Sequence, residues 1–467
     1  MLFRQTVVTL AESSLTVLEG PSGAGKTTLL RALAGLDPAP AAERRLAGRR
    51  WGPAGRLAEW RARVTWLAQD APLLAGTLRE NLAFPFGLRA GRGRRFDEKK
   101  ARELLTAVGL DNLDLERATG RLSGGERHRL ALVRGLLWDP PVLLADEPPL
   151  GCRPRAQCGL LGADHPLGAA SGTCGAGGAA PRELRSRRGP PPAPGRWGGA
   201  GARRKRQAMS AATIELGWPH LLAATGLVLA AGLLSLLLRL GIGRRLALVS
   251  LRTVVQLGLL GLVLERVFAL DRAWLVVGLL MAMTLFAARE AVARTRHRYP
   301  GVHLDAWLAI STAALLVGSV VTQVVVGADP WFAPRYVIPL VGMILGNSLT
   351  GISLCLDRFL GHLDTRRDEI ELRLAFGATR REALAEPLTE AVRTGLVPLM
   401  NAMAAAGVVS LPGMMTGQIL AGSPPLQAVA YQVVVMFMLA ASTSIGAMIV
   451  AILAALRRTR PDGSLRE

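Results

Sequence analysis

Long apolar runs occupy only the part of the chain beyond residue 218. Seven of them are about long enough to cross a bilayer as helices, with bounds near 219–240, 246–264, 273–288, 306–328, 335–356, 394–422 and 427–455. Leu411-Pro412-Gly413 interrupts the sixth run, so six or eight spans are alternatives if that segment is re-entrant. The pattern predicts an all-α polytopic membrane domain over 209–467 with about seven transmembrane helices.

The first 148 residues have a different pattern, in which short apolar runs alternate with helix-forming segments. Leu15–Leu18 is an expected strand, which leads into a glycine-rich loop and then into the helical run Thr28–Leu36. Val64–Leu67 is a short apolar strand pattern, and Arg127–Trp138 has apolar positions at helical spacing. We expect an α/β domain of the P-loop type, which is an incomplete fragment as argued below.

The glycine-rich loop has the residues of a phosphate site. Its glycines allow backbone amides to turn toward a phosphate chain at the positive end of a helix. Lys26 would reach the terminal phosphates, and the hydroxyl of Thr27 would hold a magnesium ion. The candidate nucleotide-binding residues are Gly20, Pro21, Ser22, Gly23, Ala24, Gly25, Lys26, Thr27 and Thr28. The pattern favours ATP and Mg²⁺ as ligands.

Two carboxylates follow the apolar run Val142–Ala145. A buried parallel strand would present such acids at its C-terminal edge. Asp146 would bind the magnesium ion, directly or through water, and Glu147 would polarise the water that attacks the terminal phosphate. Glu147 is therefore the catalytic candidate.

A third motif, Leu122-Ser123-Gly124-Gly125-Glu126, lies between these two and resembles the signature of ABC-transporter cassettes. The resemblance implies that its serine and glycine amides contact a nucleotide bound to an opposite cassette, so that ATP lies between two copies. Gln69 stands where this family has its Q-loop. Its implied role is to contact both the magnesium ion and the membrane domain.

The cassette, 1–148, is expected to be incomplete at both ends. Few residues precede Gly20, and Phe3 is a weak substitute for the aromatic residue that stacks on adenine in this family. After the acidic strand end, this family has a further loop and then a strand that ends in a switch histidine. Residues 149–208 of this chain stand in that place and are rich in Gly, Ala, Pro and Arg. This composition predicts disorder. The alternatives are a natural linker and a frameshift that joins two neighbouring genes. We prefer the frameshift. In that case His165 results from translation in the wrong frame and is not the switch histidine.

The formal net charge is +21, and the arginines cluster between or before apolar runs. Arginine-rich connections mark cytoplasmic loops, whereas a nucleic-acid binder needs a basic soluble surface. No nucleic-acid partner is therefore expected. The alternation of connections places Met209 outside and the C-terminus in the cytoplasm. It predicts a multi-pass protein of the inner (plasma) membrane with a cytoplasmic cassette.

A short amphipathic segment, Glu371–Thr379, lies in a long predicted cytoplasmic connection. It resembles the coupling helix of ABC permeases. Leu372 and Phe376 are four positions apart and would enter a groove on the cassette near Gln69. An ordinary surface helix is the alternative. The candidate coupling residues are Glu371, Leu372, Phe376 and Gly377.

Three pieces of the C-terminal part, Arg252–Gln256, Ile338–Asn347 and Val409–Gly417, resemble one permease family. It is the family of bacterial iron-export permeases, related to plant aluminium-resistance permeases. The likeness covers nearly all of 209–460. In this family a separate short cassette protein, similar to the first part of this chain, partners the permease.

Polar side chains are costly in lipid, so we expect those within the spans to face the helix bundle or a water-filled path. They are Arg252, Gln256, Gln323, Asn347, Asn401 and Gln432. Methionines could offer thioether ligands to a soft metal, or could serve only in packing. The candidate transport-path residues are Arg252, Gln256, Asn347, Met414 and Met415.

Together the motifs and the two family resemblances imply an ATP-driven exporter of a metal ion, with iron as the expected cargo. The direction of transport and the cargo are implied by the resemblance to the iron-export permeases alone. The expected assembly is a homodimer of the membrane domain in the lipid bilayer, with a separate intact cassette subunit. One alternative is a permease for another solute, such as a nucleotide sugar. Another is a membrane protein whose cassette remnant hydrolyses no ATP.

Overall fold

The computed structural model describes residues 7–37, 43–51, 57–147, 217–238, 243–327, 329–460 and 464–465. Within these ranges the chain forms a small α/β cassette followed by a helical domain with apolar, membrane-length helices. This confirms the predicted fold class. The expectations for Phe3, His165 and the segment 149–208 fall outside the described residues.

Helices and short strands alternate along the cassette. In chain order they are α1 (Lys26–Ala34), β1 (Arg44–Leu46), β2 (Arg49–Trp51), α2 (Leu57–Arg63), β3 (Val64–Leu67), α3 (Leu78–Gly87), α4 (Glu98–Ala107), α5 (Gly124–Trp138) and β4 (Val142–Ala145).

β3 and β4 form a parallel pair in the cassette, with Val64 aligned to Val142. Every residue of β3 is buried, as expected of a strand that is covered on both faces. The parallel pairing places the C-terminal ends of the two strands side by side. Gln69 follows one end and Asp146 follows the other, so sheet geometry brings two predicted site residues together.

The strand predicted at Leu15–Leu18 is wrong. This segment has no regular secondary structure, and its apolar side chains are exposed. A strand needs a neighbour for its backbone hydrogen bonds, and in the described part of the chain β3 and β4 pair only with each other. Among the described residues the apolar segment therefore pairs with neither strand, although one edge of β4 is open.

The membrane domain is helical throughout its described length. In chain order the helices are α6 (Trp218–Leu237), α7 (Gly243–Leu270), α8 (Ala273–Ala293), α9 (Val302–Val320) with a π-helical turn at Val321–Val325, α10 (Pro334–Thr365), α11 (Arg367–Ala375), α12 (Arg380–Ala405), α13 (Gly413–Leu420) and α14 (Pro425–Arg458).

Five of the described helices, α7, α8, α9 with its π-helical turn, α10 and α14, are long and apolar enough to cross a membrane. In α6 the apolar stretch is shorter, at Leu222–Ser235. The sixth predicted run is divided between α12 and α13, on either side of Leu411-Pro412-Gly413. Five of the seven expected spans thus have a matching helix, and the other two stay predictions.

The predicted cytoplasmic connection between the fifth and sixth runs is mostly helical. α10 continues to Thr365, and α12 begins at Arg380 rather than near residue 394. Thr379 and Glu382 form a capping box that starts α12. Capped, charged helices can extend into water without an apolar signal, which is why the apolar pattern missed them.

α10, α12 and α14 pack closely at the centre of the membrane domain. A Cβ atom on Gly351 would lie 3.1 Å from the Gly395 carbonyl oxygen and 2.4 Å from the Thr443 Cγ2 atom. Small residues of this kind allow membrane helices to approach each other. The two glycines therefore fix the distance between α10 and α12.

Asp305 joins the start of α9 to the end of α14. It is 1% exposed and accepts hydrogen bonds from the Tyr299 hydroxyl, at 2.8 Å, and from Arg457 Nε, at 2.9 Å. A buried carboxylate with two donors is stabilised only while both remain in place. The ion pair between Asp305 and Arg457 therefore links the start of α9 to the end of α14, on the side of the domain where the cassette lies.

Asp305→Asn should lower the free energy of unfolding by ~1–3 kcal/mol, because it replaces a charged acceptor in a buried network. The measurement is thermal unfolding of the full chain in detergent. Asp271→Asn is the matched control, since Asp271 is exposed and its left-handed backbone, with φ of 45°, suits asparagine. Equal shifts in the two variants would contradict the structural role of Asp305.

Candidate nucleotide site and coupling interface

The P-loop folds around its own lysine. Gly23 and Gly25 have left-handed backbone, with φ of 82° and 87°, which glycine adopts without strain. Lys26 Nζ donates hydrogen bonds to the carbonyl oxygens of Gly20, at 2.7 Å, and Pro21, at 3.0 Å. The remaining predicted residues of the loop and first turn are largely exposed: Ser22, Ala24, Thr27 and Thr28.

Thr27, Gln69 and Asp146 line one cavity of about 180 Å³. Asp146 is 6% exposed, and within the described part of the chain its Oδ2 atom has no hydrogen-bond partner. A magnesium ion prefers oxygen ligands of this kind. The three residues expected to hold the ion therefore share one cavity, and the unpaired carboxylate oxygen fits a cation there.

Glu147 lies beside the Q-loop glutamine, since Gln69 Nε2 donates a hydrogen bond to Glu147 Oε2 at 2.6 Å. His128 approaches the same glutamine, with Nε2 2.5 Å from the Gln69 carbonyl oxygen and Nδ1 2.8 Å from that of Gly124. The imidazole thus joins the start of α5 to the Q-loop. Sequence reasoning missed His128, because a single histidine near the start of the predicted helix Arg127–Trp138 has no local pattern that indicates its partners.

The signature residues begin α5. Ser123 and Glu126 form a capping box, and hydrogen bonds from the Ser123 backbone and hydroxyl lower the pKa of Glu126. Gly124 and Gly125 are exposed in the first turn. These residues do not line the cavity that contains Thr27 and Asp146.

The permease inserts an aromatic side chain into the cassette. Phe376 follows α11 and is fully buried, with its ring centroid 5.3 Å from that of Phe84 and 6.4 Å from that of Trp138. The Arg134 guanidinium lies 5.4 Å from the same ring. The structure therefore places the predicted coupling segment in a groove between α3 and α5.

Gly377 allows the cassette backbone to come close. Its φ is 89°, and a Cβ atom there would lie 2.7 Å from the Ala58 carbonyl oxygen and 2.7 Å from the Ala62 Cβ atom, both on α2. Nearby, the Arg89 backbone N–H donates a hydrogen bond to Glu382 Oε1 at 2.6 Å. Helix α2 and the end of α3 thus contact the permease on either side of the Phe376 groove.

Glu371 connects α11 to the P-loop helix. Arg31 Nη1 on α1 donates a hydrogen bond to Glu371 Oε2 at 2.7 Å, and the glutamate side chain is 16% exposed. Burial raises the pKa of Glu371, but the hydrogen bonds and charges of Arg31 and Arg367 together outweigh burial, and the net pKa lies below its ordinary value. The carboxylate is therefore ionised at neutral pH.

The coupling segment also closes the cavity of the nucleotide site. Asp368, Glu371, Leu372 and Ala375 of α11 line it together with Thr27, Gln69 and Asp146. Leu372 is 5% exposed. One cavity therefore contains groups of the P-loop, the Q-loop, the acidic strand end and the permease.

The candidate transport-path residues are not gathered into one site. Asn347 is half-buried on α10 and donates to the Met343 carbonyl oxygen of its own helix, and Met414 and Met415 are half-buried on α13. In the described part of the chain no group of three or more His, Cys, Asp or Glu side chains could hold a metal ion.

The expectation that polar side chains in the spans turn inward holds for only some of them. Gln432 is buried, but Arg252, Gln256, Gln323 and Asn401 are exposed in this single chain. The closest carboxylate to Arg252 is that of Glu290, at 3.9 Å. The most apolar 18-residue window of α7, the helix of Arg252 and Gln256, has none of its residues buried, which explains why its polar groups face outward.

Comparisons with known proteins match the two parts of the chain separately. The model of the uncharacterised protein family UPF0014 matches residues 218–458, and the ABC transporter model matches residues 3–149. The UPF0014 membrane protein slr1647 of Synechocystis is 39% identical over 233 residues, 50% of this chain and 89% of that protein. The probable iron export permease protein FetB of Escherichia coli is 31% identical over 198 residues, 42% of this chain and 75% of that protein.

The cassette has relatives of its own. The lipoprotein-releasing system ATP-binding protein LolD of Chromohalobacter salexigens is 43% identical over 133 residues, 28% of this chain and 55% of that protein. The match therefore spans only about half of that ATP-binding protein.

Gly377→Ala should speed backbone hydrogen exchange in α11 by about tenfold, since 1.4 kcal/mol of lost docking suffices for that change. A methyl group there would collide with α2 of the cassette. The measurement is exchange mass spectrometry on the full chain. Gly109→Ala is the matched control, because Gly109 has φ of 70° with open space around its Cβ position. If both variants change hydrogen exchange in α11 equally, or if neither changes it, the result would contradict the close contact at Gly377.

Proposed function

We propose, because the chain belongs to the UPF0014 family and joins its permease to an ABC-transporter cassette, that it is part of an ATP-driven exporter of a metal ion. Iron is the cargo that we favour, since a relative 31% identical to this chain is a probable iron export permease. The proposed location is the inner membrane, with the cassette in the cytoplasm. The single observation that carries the proposal of coupled transport is the burial of Phe376 of the permease in the cassette.

ATP would bind with its phosphates at the P-loop, next to Lys26 and Thr27. A magnesium ion held by Thr27, Gln69 and Asp146 would neutralise phosphate charge. Glu147, which follows β4, would orient and polarise the attacking water. The exposed signature residues would contact the nucleotide of a second cassette.

A homodimer of the membrane domain is the proposed assembly. Its support is the outward position of Arg252 and Gln256 on α7, because a polar side chain that faces lipid without a partner is costly. A second copy of the domain would supply partners for that face. Two copies would also present two coupling segments, one for each cassette of an ATP sandwich.

The functional cassette is proposed to be a separate, intact subunit. The match to the ABC-transporter model ends at residue 149, and the following segment up to residue 208 has the composition that led us to prefer a frameshift. The expected seven-span topology also places Met209 outside, whereas a cassette must reach cytoplasmic ATP. A separate cassette avoids that conflict.

A second candidate function is that of a membrane protein whose cassette remnant hydrolyses no ATP. It is favoured by the exposed, unpaired segment at Leu15–Leu18. Among the described residues no strand precedes the P-loop, so the loop is held in place only by α1, the helix that follows it. Such a loop would bind nucleotide weakly and position Glu147 poorly.

Lys26→Ala should weaken binding of ATP with Mg²⁺ to the full chain by at least about tenfold, since the phosphates lose the fixed cation of the loop. Equilibrium dialysis of labelled ATP measures the change. Lys99→Ala, an exposed substitution on α4, is the control. Equal affinity in the Lys26 variant and the unaltered chain would refute the P-loop assignment.

Residues 209–467, produced with a complete partner cassette, should accumulate iron in inside-out vesicles when ATP is present. Phe376→Asp in the same vesicles should abolish accumulation, because a buried charge would expel the segment from the groove. Metal-independent uptake of a nucleotide sugar would refute the cargo. Equal transport by the full chain alone would refute the separate subunit.

A further inference from the structure

Arg31 holds the coupling segment from the side of the P-loop helix. Its guanidinium is bound by Asp37 within the cassette, lies 5.2 Å from the Trp66 ring centroid, and donates to Glu371 of the permease at 2.7 Å. These contacts fix the orientation of the guanidinium before the permease arrives. The glutamate, by contrast, is largely buried and depends on Arg31 and Arg367 for its charge partners.

Arg134 holds the same segment from the side of the signature helix. It is 1% exposed on α5 and donates to the Pro72 carbonyl oxygen at 3.0 Å. Its Nε and Nη1 atoms have no hydrogen-bond partner among the described residues. The guanidinium instead lies against two rings that also contact each other, 5.5 Å from the centroid of Phe84 and 5.4 Å from that of Phe376.

A buried guanidinium without a carboxylate needs aromatic faces to offset its lost hydration. Burial lowers the pKa of Arg134 to about 9, which leaves it charged at neutral pH. The cassette supplies one of its two rings, Phe84, and the permease supplies the other, Phe376. A permease with an aliphatic side chain at this position would bury the same charge without that compensation.

We propose that Arg31 and Arg134 are the residues by which a cassette recognises this permease, one through the charge of Glu371 and the other through the ring of Phe376. This inference rests on the proposed docking of an ABC cassette and specifies its partner. The permease takes a cassette that has an arginine near the end of its P-loop helix and another on its signature helix. Because these two helices contact ATP, the same residues place α11 against both nucleotide-binding elements.

The test uses the full chain in detergent, with a protease site inserted after Pro181 and an affinity tag at the C-terminus. After cleavage, the retention of the cassette fragment on the tagged permease is measured as a function of dilution, without ATP or cargo. Failure of transport or hydrolysis therefore does not affect the result. Arg31→Glu should weaken retention by at least about tenfold, because it opposes two partly buried carboxylates, those of Asp37 and Glu371.

Combining Arg31→Glu with Glu371→Arg should recover at least about threefold of the lost retention, since the ion pair between cassette and permease is restored. Recovery stays partial because Asp37 and Arg367 then face like charges. Arg79→Gln is the matched control for the loss of an arginine. Arg79 also forms two ion pairs, but both partners, Glu98 and Glu116, belong to the cassette. Retention unaffected by Arg31→Glu, or no recovery in the reversed pair, would overturn the role of Arg31.

For Arg134 the test is a double-mutant cycle with Phe376→Leu. Arg134→Met preserves the bulk of the side chain. It should weaken retention by about fivefold in the chain that has Phe376, and by less than about twofold in the Phe376→Leu variant. Arg134→Lys should also weaken it, because an ammonium lacks the planar group that stacks on a ring. Additive effects in the cycle, or loss of the unaltered cassette after cleavage, would overturn the proposal.

Discussion

The close contact at Gly377 is the constraint on which the interface between cassette and permease depends. With a side chain at this position the permease could not approach α2, and Phe376 would stop short of its groove. Burial of a phenylalanine ring contributes about 1.5–3 kcal/mol, and each aromatic pair adds about 0.5–1.5 kcal/mol. A single glycine therefore gives access to the largest apolar contact between the two parts.

This contact also determines which movements of the cassette helices can reach the permease. The groove for Phe376 is formed by α3 and α5, while Glu371 reaches α1 through Arg31. α1 starts at the phosphate loop, and α5 starts at the signature. A change in the distance between these two helices must either move α11 or break one of its contacts. The short segment is thus placed to convert a rearrangement around ATP into a force on α10 and α12.

The chemistry of the cassette could be predicted from the sequence because few residue types can perform it. Phosphate loops need glycine and lysine, and an acidic strand end needs an apolar strand before it, so Lys26 and Asp146 were recognisable from local pattern alone. Arg31 and Arg134 were not, since their partners are distant in sequence and an arginine on a helix is ordinary. The inward position expected of Arg252 stays a prediction, because burial in a single chain differs from burial in an assembly.

The state of the P-loop follows from the pairing of the strands around it. A strand that precedes a phosphate loop stays in place through backbone hydrogen bonds to a neighbour, and in the described residues β4 has β3 on one edge and no strand on the other. Leu15–Leu18 is consequently exposed, and the loop that follows is satisfied by its own lysine. The permease side of the interface is well packed against the cassette. Phe84 contacts Phe376, helix α2 contacts Gly377, and Arg31 binds Glu371. The close contacts of α11, together with the open edge of β4 in the described residues, are therefore consistent with our proposal that an intact cassette with the same groove docks here.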